Sequence, residues 1–242
     1  MLDEILEVTV WMEKLDLDDQ SMVRGFQKLM VALVERSPVF ADLVSKNDPD
    51  DPGVDLLHQS LPERFTIWHE KFAADFPDDG AIKLVVGAKP FLGPNGESVS
   101  SYRVVLFWGE TAPYDRLKIE IPMRFSETPD MPPFLTDLVK AVTGWRRSAL
   151  ITAQPSVLKM TGRLFPEHHS AGFGIWMPGA WSNANESDAH QVLSINGGEL
   201  IIVTDSMFNL GDSAALERVH QVDTYLMQQA ALPSTRDYPF PI

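Results

Sequence analysis

The stretch Leu117-Lys-Ile-Glu-Ile-Pro122 alternates apolar and charged residues without a break. Strict alternation is typical of a strand that buries one face and leaves the other in water, as many strands of antiparallel sheets do. Pro132-Pro133 then opens a segment whose apolar residues, as far as Trp145, share one helical side. An alternating strand followed by an amphipathic helix predicts an α+β fold.

The segments around this stretch repeat one order of elements. Strand, strand, strand, helix is predicted over 81–145 and again over 149–231, although the two segments share negligible sequence identity. We expect antiparallel neighbours, because the connections are short. The other predicted elements are strands at Ala81–Gly87, Tyr102–Trp108, Ala149–Ala153, Gly172–Met177 and Glu199–Thr204, and a helix from about Asp212 to Ala231.

The N-terminal part is predicted to be helical. Asp19 or Ser21 can cap a helix from about Met22 to Ser45, which Pro38 kinks or divides, and a shorter helix is predicted over Leu61–Phe76. With no composition shift that marks a linker, we expect one compact domain over 1–242. Its parts are an acidic helical region (1–78) and two halves with the repeated order (79–146 and 147–242).

The composition excludes several classes of function. The chain has 242 residues, no Cys and a formal net charge of −14. Without Cys there are no disulfides, thiolate-bound zinc, iron–sulfur clusters or thiol nucleophiles. The acidic balance argues against direct nucleic-acid binding and against an anionic membrane surface. The acidic start Met1-Leu-Asp-Glu4 lacks the basic residues of a signal peptide, so the sequence predicts a cytoplasmic location.

The negative charge is concentrated in the first third of the chain. Residues 1–80 carry 18 Asp or Glu and 7 Lys or Arg, whereas residues 81–242 carry 16 and 13. Two interpretations stay open: ordinary solubility with turn and cap chemistry, or an acidic patch that meets a basic partner. The acidic runs are Asp16, Asp18 and Asp19, then Asp48, Asp50, Asp51 and Asp55, then Asp75, Asp78 and Asp79.

No catalytic, nucleotide-binding or metal-binding motif is present. The chain lacks a P-loop, a dinucleotide fingerprint, a serine elbow and the H-E-x-x-H pair. The adjacent His168-His169 have no second ligand cluster at metal-binding spacing. The loop after Asp48 resembles a calcium loop, but Pro52 and Gln59 stand where ligands are required. The sequence therefore predicts no cofactor, no metal and no catalytic residue.

The most distinctive feature is the aromatic stretch Gly172-Phe-Gly-Ile-Trp-Met-Pro-Gly-Ala-Trp181. It places Phe173, Trp176 and Trp181 within ten residues that also hold three Gly and one Pro. One interpretation is a core strand and a tight turn, with Trp181 covering its end. The other is an exposed aromatic ledge, since Trp anchors many protein interfaces.

The chain resembles the immunity proteins of bacterial polymorphic-toxin systems, and most closely immunity family fifty-two. The residues that carry the resemblance are Phe173, Trp176, Gly179 and Trp181, followed by the strand Gly198–Thr204. The acidic, Trp-rich composition and the α+β order agree with it, and Trp68 and Trp108 add to it. Members of that family are encoded beside toxins with a restriction-endonuclease-like nuclease domain that type VI secretion often delivers.

The resemblance implies an antitoxin rather than an enzyme. Such a protein binds its cognate toxin, expected to be a basic nuclease domain, and neutralises it in the producing cell. Covering the catalytic cleft, blocking toxin dimerisation and holding an inactive conformation are all open modes of inhibition. Acidic position and aromatic character predict a toxin-binding set of Asp48, Asp50, Asp51, Asp55, Asp75, Asp78, Asp79, Trp176 and Trp181.

Two other functions stay open as alternative hypotheses. One is a metal-assisted hydrolase that uses His168, His169 and nearby acids. The other is a secretion adaptor or chaperone that holds an effector before export. Toxicity separates the adaptor from the antitoxin, because only an antitoxin is needed for survival of the toxin's own host.

Overall fold

The protein is an α+β protein, as predicted, with four helices and antiparallel strand pairs in the part of the chain that the structure describes. The structure is a computed structural model that describes residues 5–36, 40, 43–45, 53–75, 81–88, 91–92, 98–99, 102–109, 114–122, 130–156, 158, 163–179, 188–208 and 211–235. The helices are α1 (Asp19–Val34), α2 (Leu61–Asp75), α3 (Met131–Trp145) and α4 (Ser213–Gln228). The strands are β1 (Ile5–Glu13), β2 (Leu43–Ser45), β3 (Val54–Asp55), β4 (Ala81–Ala88), β5 (Phe91–Leu92), β6 (Ser98–Val99), β7 (Arg103–Gly109), β8 (Tyr114–Pro122), β9 (Ser148–Pro155), β10 (Gly174–Pro178), β11 (Gln191–Ile195) and β12 (Gly198–Ile202).

The chain divides into two compact units, and the first combines residues 1–12 with residues 120–242. Its strands follow the order β11-β12-β10-β9-β1, with β1 antiparallel to β9 at Thr9↔Thr152. Helix α3 packs on β9 and β12 and buries its apolar side, including Leu135 and Leu138. Strand β9 is buried along its whole length, so it lies in the core of this unit.

The second unit comprises residues 13–119. Its strands follow the order β8-β7-β4-β2-β3, with β8 counted as far as Ile119, and β4 pairs with β7 at Leu84↔Leu106. Helix α1 packs against α2, and Phe26 and Phe65 are fully buried. A separate short pair is formed by β5 and β6.

The predicted helical character of residues 1–78 is wrong at its first segment. Residues 5–13 form β1, in which Leu6, Val8, Val10 and Met12 are fully buried. Their period of two is that of a strand. The other face carries Glu7, Thr9 and Trp11, which are buried as well, so both faces of β1 are covered. The alternation of apolar and polar residues from Leu6 to Val10 is a strand pattern that the prediction for this segment overlooked.

The first predicted helix is shorter than expected. Helix α1 ends at Val34, and Leu43–Ser45 form β2, which pairs with β4 at Val44↔Gly87. Short apolar runs do not distinguish strand from helix by periodicity, and here pairing with a distant strand decides. The N-cap is Asp18 rather than Asp19 or Ser21, and its carboxylate accepts a hydrogen bond from the Ser21 N–H at 2.8 Å.

The repeated order of elements holds for the longer strands of the first half, whereas four described strands, not three, precede the helix of the second half. In the first half β4, β7 and β8 precede α3, and β5 and β6 are additional. In the second half β9, β10 and β12 precede α4, and the additional strand β11 forms a hairpin with β12. That 1–242 fold as a single domain stays a prediction. None of the described helices has the length and apolarity that crossing a bilayer requires.

Candidate protein-binding surface

Two of the predicted acidic contacts lie on the surface of the second unit. Asp55 is exposed at the end of β3, where its carboxylate accepts a hydrogen bond from the Leu57 N–H at 2.8 Å. Asp75 is exposed as the last residue of α2. The remaining predicted acidic contacts, Asp48, Asp50, Asp51, Asp78 and Asp79, lie outside the described residues, as does Trp181.

The exposed-ledge interpretation is wrong for Trp176. Its side chain is 2% exposed in β10, and the indole N–H donates to the Ile195 carbonyl at 3.1 Å. The indole lies so close to Gly198 that a Cβ there would approach it to 2.4 Å. Phe173 is fully buried against Phe208, with ring centroids 4.6 Å apart. In the described part of this stretch, the core-strand interpretation is the correct one.

A row of aromatic rings instead leads from the interior of the second unit to the surface of α2. Trp108 of β7 is buried and packs on the fully buried Phe65 of α2, with centroids 5.3 Å apart. Phe65 contacts Trp68 at 5.5 Å, and Trp68 stacks on Phe72 at 5.3 Å and 24°. Trp68 and Phe72 are only half-buried, so the row ends at solvent.

One carboxylate braces this part of the second unit. Asp19 of α1 contacts His69 Nδ1 at 2.5 Å and accepts a longer hydrogen bond from Trp108 Nε1 at 3.4 Å. His69 of α2 is thereby linked to α1. Because Asp19 joins α1, α2 and β7, the backbone beneath Trp68 and Phe72 is held in place.

The exposed part of α2 is chemically mixed. We define the α2 surface as residues 67–75, in which Ile67 is 48% exposed and Trp68 and Phe72 are half-buried. Exposed charged residues Glu70, Lys71 and Asp75 surround this apolar centre. An aromatic centre inside a polar rim is the usual arrangement of a protein interface. The α2 surface can thus contact a protein partner.

The first unit contains a buried polar cluster instead. Asp223 of α4 is 1% exposed, and its carboxylate accepts hydrogen bonds from the Ser170 hydroxyl and the Ala171 N–H, both at 2.7 Å. Burial raises the pKa of Asp223 to about 6, although the two hydrogen bonds, His220 and Arg163 act in the opposite direction. Burial also lowers the pKa of Arg163.

This cluster fixes the backbone that leads into β10. Gly172, with φ +54°, follows Ala171, and a Cβ at this position would lie 2.5 Å from the Ala153 carbonyl oxygen. Ala171 and Asp223 lie 52 residues apart and no sequence pattern links them, so the cluster was not predicted. Its hydrogen bonds hold a loop, and they involve no exposed group of the α2 surface.

The two adjacent histidines have structural surroundings. The backbone of His168 pairs with Ser234, and the His169 N–H donates to the Pro233 carbonyl at 2.8 Å. The His169 ring packs edge-on against Trp11, 4.7 Å between centroids. No group of three His, Cys, Asp or Glu side chains that could hold a metal occurs among the described residues. The described chain therefore offers the hydrolase hypothesis no ligand set.

The fold is similar to that of a solved protein of a secretion system. Pseudomonas aeruginosa T6SS protein PA0821 superposes with a TM-score of 0.54 over 90% of this chain and 77% of that chain, at 10% identity. A complex of the toxic C-terminal tip of CdiA from Pseudomonas aeruginosa with its immune protein gives a TM-score of 0.36 at 12% identity, over 64% of this chain and 88% of that one. No family model matches the chain, and neither does any curated protein sequence. At these identities the likeness to PA0821 shows the fold alone.

Proposed function

We propose that this chain is an immunity protein that binds and neutralises a cognate secreted nuclease toxin in the cytoplasm of the producing bacterium. The observation that carries the proposal is the α2 surface, where Trp68 and Phe72 reach solvent on a braced helix. The predicted acidic contacts flank α2 in the sequence: Asp48 to Asp55 precede it, and Asp75 to Asp79 end and follow it. Aromatic anchors at the centre and charges around them suit tight binding of a basic protein.

Charge supports the same kind of partner. A nuclease that handles DNA presents basic residues to the phosphates, and an acidic inhibitor associates with such a surface quickly. Residues 1–80 contain 18 acidic and seven basic residues. Eight of these acidic residues, but only one of these basic residues, lie outside the described residues. We infer that these acidic segments provide steering, while the α2 surface provides most of the affinity.

Two further considerations support the proposal. The fold likeness to a T6SS protein agrees with a role beside a secreted toxin. The sequence resemblance to immunity family fifty-two, carried by Phe173, Trp176, Gly179 and Trp181, is what points to a nuclease as the partner, although no family model matches the chain. The adaptor hypothesis also involves binding an effector, and it is separated by the survival assay below.

Replacing Trp68 and Phe72 together by Ala should weaken binding at least about 30-fold, because two aromatic anchors at an interface centre contribute about 2 kcal/mol or more. The partner is the protein encoded by the adjacent gene, which the proposal takes to be the toxin, and titration calorimetry measures the affinity. The matched control is Val31→Ala, which truncates an exposed apolar side chain on α1. Equal affinity for the double variant and the wild type would exclude the α2 surface as the contact.

Cell survival distinguishes an antitoxin from an adaptor. Cells that express the toxin should survive with the wild-type chain and die with the Trp68/Phe72 double variant. If cells survive the effector without this chain but fail to secrete it, the adaptor hypothesis is correct and the immunity proposal is not.

Reversing Asp48, Asp50 and Asp51 to Lys should slow association about tenfold at low salt, because steering depends on the local field. The control reverses three exposed acids of the first unit, Asp130, Glu167 and Asp205, with the same change in net charge. Stopped-flow kinetics at several salt concentrations measures both variants. Identical rates for the two variants would show that net charge, and not the 48–51 segment, steers the toxin.

A further inference from the structure

Strand β11 is an edge strand of the first unit with outward-facing backbone groups. Among the described strands it pairs with β12 alone, through a two-residue turn at Asn196-Gly197 with φ of 47° and 81°. In such a hairpin Ile195 and Gly198, which flank the turn, form a hydrogen-bonded pair. Along the two strands, hydrogen-bonded pairs then alternate with non-hydrogen-bonded pairs. Val192 and Ser194 belong to non-hydrogen-bonded pairs, so their N–H and C=O groups point away from β12.

This edge lacks the features that usually prevent strand addition. The sequence Gln191-Val-Leu-Ser-Ile195 has no charged residue and no Pro, and its register with β12 is regular over all five pairs. Soluble proteins commonly block such edges with Lys, Pro or a bulge. Val192 and Leu193 are partly exposed, and Ser194 is exposed.

The hairpin is held in place from two sides. Trp176 donates to the Ile195 carbonyl, and the Asn196 side-chain amide donates to the Thr143 hydroxyl of α3 at 2.9 Å. An edge fixed in this way needs little reorganisation to accept another strand. Low reorganisation favours binding, because less conformational entropy is lost.

An open groove with two carboxylates among its lining side chains lies beside the chain that leads into β11. Asp188, three residues before β11, lines it together with Glu217, His220, Thr224 and Tyr225 of α4. Asp188 and Glu217 are exposed carboxylates, and neither Lys nor Arg is among the residues that line the groove. Two carboxylates and an aromatic ring suit a guanidinium or ammonium group.

We propose that the edge of β11 and this groove bind an extended, basic segment of a protein partner by strand addition. The outward backbone groups require an extended chain, and the carboxylates select Lys or Arg side chains beside it. A second copy of this chain fits poorly, because each copy carries a net charge of −14. The proposal rests on the proposed function, with the basic toxin as the partner.

Hydrogen exchange of the amides in β11 tests the proposal. In the free chain the Val192 and Ser194 amides should exchange rapidly, and saturating toxin should slow both at least about tenfold. Unchanged exchange of both amides in a saturated complex would overturn the inference and leave the proposed function intact. Failure of the wild-type chain to bind the toxin at all would overturn both.

Ser194→Pro provides a second test, because the N–H that it removes points away from β12 and an edge strand tolerates Pro at such a position. Its affinity should fall about tenfold, whereas Ser194→Thr, which keeps the N–H, should bind like the wild type. Glu217→Lys should weaken binding as well, by adding a positive charge to the groove. A dimer in sedimentation that Ser194→Pro abolishes would overturn the inference, since the occupant would then be a second copy.

Discussion

Trp176→Ala should lower the free energy of unfolding by about 3–5 kcal/mol, as truncation of a buried Trp does. The substitution removes a side chain that is 2% exposed and deletes the hydrogen bond to the Ile195 carbonyl. It also leaves a cavity against Gly198, where the indole now packs. Urea unfolding measures the loss, which corresponds to a melting temperature lower by roughly 10 °C.

Two variants separate the contributions at this site. Trp176→Phe keeps most of the volume and loses the indole N–H, so it should cost about 1–2 kcal/mol. Trp145→Ala, in a half-buried position of α3, should cost less than Trp176→Ala. If Trp176→Ala unfolds at the wild-type urea concentration, Trp176 is not part of the core.

Asp223 should make the chain less stable as the pH rises from about 4 to about 7. Burial raises its pKa to about 6 in the folded state, above the ordinary 3.8, so the folded state binds more protons between these values. Stability therefore falls with rising pH in this window, by about 3 kcal/mol for a shift of this size. This contribution is fully present below about pH 4 and is lost above about pH 6.

Asp223→Asn isolates this contribution from those of the other carboxylates. The variant should be more stable than the wild type by about 3 kcal/mol at pH 7.5 and nearly equal to it at pH 4. Asn at 223 can still accept the hydrogen bond that the Ala171 N–H donates. The exposed Asp205→Asn serves as the control, and a stability difference for Asp223→Asn that is constant across this pH range would contradict the account.

The α+β class and most long elements could be predicted because their patterns are local. The alternation at 117–122 and the apolar side of α3 depend on nearby residues alone, and both are observed. Strand β1 was missed although apolar and polar residues alternate from Leu6 to Val10, and its pairing with β9, about 140 residues away, is not a local signal. Strand β2 was taken for helix because a strand of three residues is too short to show a periodicity.

The candidate surface depends even more on tertiary packing, which local sequence patterns do not reveal. Trp176 and Trp68 are both aromatic residues in apolar segments, and only the fold buries the first and leaves the second half-buried. The sequence does place Phe65, Trp68 and Phe72 at helical spacing, but contact between Asp19 and His69, 50 residues apart, braces them. Asp223 is one of 34 acidic residues, and its burial depends on tertiary packing.

The most direct test of the account is inhibition of the toxin at defined stoichiometry. Purified toxin from the adjacent gene is mixed with increasing amounts of this chain, and degradation of plasmid DNA is measured. The account predicts a linear loss of nuclease activity that is complete at one chain per toxin, and a requirement for excess of the Trp68/Phe72 double variant. Undiminished DNA degradation in the presence of several equivalents of the wild-type chain would contradict it.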